Sequence, residues 1–69
     1  MTYIDVRKTL KTLRIRVKDL SVLIGMTEQG IVRWKNREEV PKRVAEYLEI
    51  LTLLPAEERD KYLHKKLAN

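Results

Sequence analysis

The segment Val17 to Lys35, VKDLSVLIGMTEQGIVRWK, constrains the fold of this chain more than any other. Leu20 and Ile24 lie four residues apart, on one face of a helix; Ile31 and Trp34 lie three apart, on one face of another. Gly25 stands between them, where a positive φ reverses the chain sharply and a Cβ would resist the turn. Met26 then falls where it plugs the corner, and the Thr27 hydroxyl is suited to cap the second helix. Ser21 is small and lies where two crossing helices must come close. Together these positions predict a helix over about 17–24, a tight turn, and a second helix over about 28–35, which is a helix-turn-helix.

The flanking sequence reads as helix too, with no run of alternating apolar and polar residues. Thr2 and Asp5 have the spacing of a capping box and open a first helix that reaches about Leu13. Tyr3, Val6, Leu10 and Leu13 form its inner face. A short basic connection, Arg14 to Arg16, follows, flanked by Ile15 and Val17. After Trp34 comes a polar loop, NREEVP, whose Pro41 is placed to open a fourth helix. Val44, Leu48 and Leu51 line one side of that helix, and Tyr47, Ile50 and Leu54 widen the stripe. Pro55 ends it and opens a fifth over about 55–67, within PAEERDKYLHKKLAN. Glu57, Glu58 and Asp60 at its start and Lys65 and Lys66 near its end match the helix dipole. The expectation is an all-α, compact bundle of four to five helices forming a single domain over residues 1–69.

Composition narrows the function. With 69 residues there is room for one domain, and a chain this short buries only about 60% of its unfolded surface. Hydrophobic residues at 43% beside 36% charged describe a globular chain. Without cysteine there are no disulfides or thiolate metal sites, and the single histidine, His64, makes a histidine-based zinc site implausible. No cofactor, metal or small-molecule ligand is expected. No apolar run approaches the ~20 residues of a membrane span, and the start MTYIDVRK lacks the apolar core of a signal peptide. A soluble intracellular protein is the expectation.

Charge is unevenly distributed. Residues 1–37 hold nine Lys/Arg against three acids, or +6; residues 38–69 hold six against seven, or −1. Charge alone would describe a solvated surface. An excess confined to the half with the predicted helix-turn-helix is better explained as a footprint for phosphates.

Leu20, Ser21, Ile24, Gly25, Met26, Ile31 and Trp34, followed by Glu39-Val40-Pro41, resemble the Cro/CI-type helix-turn-helix domains of small phage and bacterial regulators. The resemblance covers roughly residues 4–54. It implies a lambda-repressor-like bundle, sequence-specific binding of double-stranded DNA, a Cro-like role in transcription, and the cytoplasm of a bacterial or phage-infected cell. The chain departs from the family pattern at Val17, where a glutamine often buttresses the recognition helix and where Lys18 is the nearest substitute. It departs again at Gly30, inside that helix, where glycine costs about 1 kcal/mol relative to alanine.

A recognition helix presents its N-terminal residues to base edges in the major groove. With Ile31 and Trp34 turned inward, the outward positions are Glu28, Gln29, Val32, Arg33 and Asn36. Gln29 can pair with adenine, Arg33 with guanine, and Val32 can touch a thymine methyl. Glu28 either accepts from cytosine N4 or simply favours the helix N-terminus; the second role is favoured, since a carboxylate facing phosphates is costly. Thr27, Lys18, Lys35 and Arg37, with Arg14 and Lys42 further out, are the candidate phosphate contacts. One such helix reads few base pairs, so a homodimer on a pseudo-palindrome is expected, with the last two helices as its interface.

Other classes fit less well. Trp34 could stack on an unpaired base, but its phase with Ile31 turns it to the core. Enzyme chemistry needs an activated nucleophile beside a base, and His64 is on the terminal helix. RNA readers use aromatic-rich sheets or glycine loops absent here. The rival is a protein-interaction module, antirepressor- or antitoxin-like, that keeps the fold without reading DNA. It would act through Tyr62, Leu63 and Leu67 of the last helix.

Overall fold

A computed structural model describes residues 1–68; Asn69, the end of the segment assigned to the fifth helix, lies outside the described residues. The first helix, α1 (Tyr3–Leu13), starts at the anticipated capping box. The Asp5 N–H donates to Thr2 Oγ1 at 3.2 Å, and the Thr2 N–H donates to the Asp5 carboxylate at 2.9 Å. That backbone bond, with the Thr2 hydroxyl, holds the Asp5 carboxyl below its ordinary pKa. At the other end Arg14 takes a left-handed conformation (φ 59°, ψ 38°) and closes the helix.

The second helix, α2 (Val17–Ile24), has its start fixed by Asp19, whose carboxylate accepts from the Arg16 N–H at 2.9 Å. It stops at Gly25, with φ 68° and ψ 34°, the left-handed turn anticipated there. The third helix, α3 (Glu28–Val32), is capped by Thr27, whose hydroxyl accepts from the Gly30 N–H at 3.0 Å. It is α-helical for five residues only, then tightens into a 3-10 helix over Arg33–Asn36. At three residues per turn, positions three apart eclipse. Tightening therefore brings Trp34 towards the line of Ile31, and both are buried.

The fourth helix, α4 (Lys42–Leu53), and the fifth, α5 (Ala56–Leu67), each begin directly after a proline, one residue later than the sequence suggests. Among the described residues there is no strand. The helices α1 and α4 pack together, α2 packs on α3 and α5, and the 3-10 helix rests on α1. Val6, Leu10, Leu20, Ile31, Trp34, Leu48 and Leu51 are buried at the centre, and among the described residues no polar side chain is buried with them. The N-terminus is tied down by a 2.9 Å bond from the Val40 N–H to the Met1 carbonyl, which anchors the loop before α4. The result is a compact all-helical body, with a radius of gyration of 11.6 Å.

Two expectations change. Ile50 does not widen the inner stripe of α4 but is 59% exposed, and Leu53 beside it is 82% exposed. The Tyr47 side of the helix is instead closed by α5, through a 2.8 Å hydrogen bond between the Tyr47 and Tyr62 hydroxyls. Met26 does not plug a corner inside the core: it is 38% exposed and lays its methyl over Gly30. Ser21 is half-buried, with its hydroxyl donating to the Lys18 carbonyl at 2.6 Å.

Candidate nucleic-acid interface

The geometry around Gly25 sets the candidate surface. Because α3 packs against α2 through Ile31, its opposite side faces outward, and Glu28 and Gln29 in its first turn are exposed. Arg33 and Asn36 lie three residues apart in the 3-10 helix, so the tighter winding aligns them along one line, and both are exposed. Val32, the remaining base-contact candidate, is half-buried and offers only part of its side chain. Five candidates thus come from nine consecutive residues, across two kinds of helix.

The phosphate candidates are less concentrated. Lys35 and Arg37 belong to the same stretch and are exposed; Thr27 sits at its start with its hydroxyl engaged by the Gly30 N–H. Lys18 is exposed in the first turn of α2, the helix packed against α3. Lys42 opens α4 and approaches Glu46 to 3.9 Å, with 91% of its side chain exposed, so the pair holds it weakly. Arg14 is set apart. It borders a cleft between the end of α1 and Ala56, Arg59 and Asp60 of α5.

Gly30 has a local explanation. A Cβ there would lie 3.1 Å from Thr27 Oγ1 and 3.3 Å from the Met26 methyl. The glycine makes room for the cap of its own helix and for the residue that bridges the turn. It does not serve an approach by α2, since no α2 atom is among its nearest neighbours.

No sequence motif marks Arg7, Lys8, Lys11 and Arg16 as site residues, although they are four of the nine cations in the basic half. All four are exposed around one groove between α1 and the start of α2. The helical spacing of the first three is visible in the sequence; the arrival of Arg16 beside them depends on tertiary packing. His64 is exposed on α5, and among the described residues no group of three or more His, Asp or Glu could hold a metal ion. Among those residues no helix is long and apolar enough to cross a membrane. Compared with known proteins, the chain matches no family model, no curated protein and no solved structure.

Proposed function

We propose that this protein is a sequence-specific double-stranded DNA-binding regulator of the Cro/CI helix-turn-helix type, with α2, the Gly25 turn and α3 as its reading unit. The observation that carries the reading is the two-sided character of residues 28–37. Ile31 and Trp34 are 0% and 3% exposed and lock the segment to the core, while Glu28, Gln29, Arg33 and Asn36 are exposed beside Lys35 and Arg37. A polar reading edge on a rigidly seated helix, flanked by cations, is what major-groove recognition requires.

In this reading Gln29 pairs with adenine and Arg33 with guanine, while Val32 presents its exposed part to a thymine methyl. Glu28 serves the N-terminus of α3 electrostatically, and Asn36 reaches the last base of the half-site. Thr27, Lys18, Lys35 and Arg37 hold the flanking phosphates, with Lys42 and Arg14 as outlying contributors. Two copies bind half-sites about 34 Å apart and act by occluding a promoter or recruiting a partner to it. The copies meet through the exposed Ile50 and Leu53 of α4, because Leu63 of α5 is buried and Tyr62 and Leu67 pack partly against the same core.

The test is selection from a randomised duplex pool, followed by fluorescence anisotropy on the enriched sequence across a salt series. Specific binding should appear with log K falling by about 0.9 per phosphate contact against log salt. Gln29→Ala and Arg33→Ala should each relax preference at one base position by about 1–3 kcal/mol. Absence of binding at low salt removes the reading and leaves the interaction module. Enrichment that neither substitution alters removes α3 as the reading helix.

A further inference from the structure

The groove between α1 and the start of α2 is a second surface, and none of the residues that line it belongs to the reading edge. It has a volume of about 440 Å³. Tyr3, Ile4, Leu10, Ile15 and Val17 supply its apolar lining, and Arg7, Lys8, Lys11 and Arg16 its charge. Four cations and no acid line it. The nearest carboxylates in sequence are spent on helix starts, Asp5 on the Thr2 N–H and Asp19 on the Arg16 N–H. Asp19 is also 3.9 Å from Arg16 Nε, a contact too exposed to neutralise it, with 80% of the arginine side chain in solvent.

We infer that this groove docks an acidic amphipathic helix of a partner protein, with its aliphatic side chains on the apolar floor and its carboxylates among the four cations. Charge complementarity decides the occupant. A cationic rim alone would suit a phosphate backbone, but phosphates gain nothing from covering Ile4, which is 65% exposed in the wall of the groove. A helix with apolar residues at every third or fourth position and acids between them satisfies both the floor and the rim. The surface does not depend on DNA recognition by α3 and stands or falls separately from it.

The probe is a synthetic peptide with leucines at helical spacing and glutamates between them, titrated into the isotope-labelled full chain without DNA. A scrambled peptide of the same composition serves beside it. The patterned peptide should shift backbone amides of residues 3–17 and bind at least about tenfold more tightly than the scrambled one. Arg7→Glu with Lys11→Glu should weaken it by at least about tenfold, and Ile4→Ser should weaken it while sparing the salt dependence. All three positions are exposed, so the variants should keep the wild-type amide spectrum elsewhere. Equal binding of both peptides would reduce the groove to unspecific charge. Charge reversal that lowers affinity for duplex DNA but not for the peptide would make the rim a phosphate track. Either result overturns the inference.

Discussion

Among the described residues two adopt left-handed backbone, and they respond oppositely to substitution. At Gly25, with φ 68°, no atom lies within 4 Å of the place a Cβ would take, so Gly25→Ala meets no clash and pays only the backbone strain. It should lower stability by about 1–2 kcal/mol. Arg14, at φ 59°, already carries that strain at the end of α1. Arg14→Gly relieves it at the cost of a more flexible unfolded chain, for a net gain of up to about 1 kcal/mol. Urea denaturation of the two variants beside the wild type checks both signs, and a stable Gly25→Ala would mean that the turn relaxes out of the left-handed region. The glycine was legible because a reversal between two apolar faces requires it. The arginine was not: nothing in its side chain marks it for positive φ. It takes that conformation as the end of α1 closes, with the Arg14 N–H donating to the Lys11 carbonyl at 3.1 Å and the Ile15 N–H to the Leu10 carbonyl at 3.0 Å.

At the scale of elements, α5 is held on α4 by more than apolar contact. Burial, and then the hydrogen bond with Tyr62, push the Tyr47 phenol above its ordinary pKa of 10.0. A phenol favoured in its neutral form by folding contributes stability below that ordinary value, and the contribution is lost as pH rises through the folded pKa. Tyr47→Phe and Tyr62→Phe should each cost about 0.5–1.5 kcal/mol at neutral pH, and the double variant less than their sum. The stability of Tyr47→Phe should fall less steeply than that of the wild type above about pH 10. Additive single effects would show that the hydroxyl pair carries no coupling. The starts of α1 and α3 were legible because Thr2, Asp5 and Thr27 act on neighbours three residues away. The tyrosine bond spans fifteen residues, and the shift from α to 3-10 winding after Val32 accompanies the burial of Trp34 in the core. Pairings of that kind leave no local signature.

At the scale of the whole molecule, the −1 half does not merely carry the +6 half; it also supplies an exposed apolar edge. Ile50 and Leu53 are large aliphatics at 59% and 82% exposure on α4, in a chain too small to waste apolar area. The candidate reading edge was legible as helical phase, down to the outward Glu28 and Gln29. The apolar edge follows from the same phase: at 3.6 residues per turn Ile50 lies about 120° and Leu53 about 180° from the buried Val44, so an inner stripe that counts Ile50 is stretched too far. In the proposed dimer, Leu53→Glu places a like charge from each copy at the contact and should shift sedimentation from dimer to monomer. Leu53 makes no core contribution, so urea stability at low protein concentration should stay within about 0.5 kcal/mol of the wild type. On DNA, the monomeric variant should lose the gain from joining two half-sites while keeping its preference within each, because Gln29 and Arg33 are untouched. Loss of half-site preference would instead mean that the substitution reaches α3. A wild-type chain that sediments as a monomer both free and on its selected duplex would remove the dimer from the proposal altogether, leaving Ile50 and Leu53 exposed for another purpose.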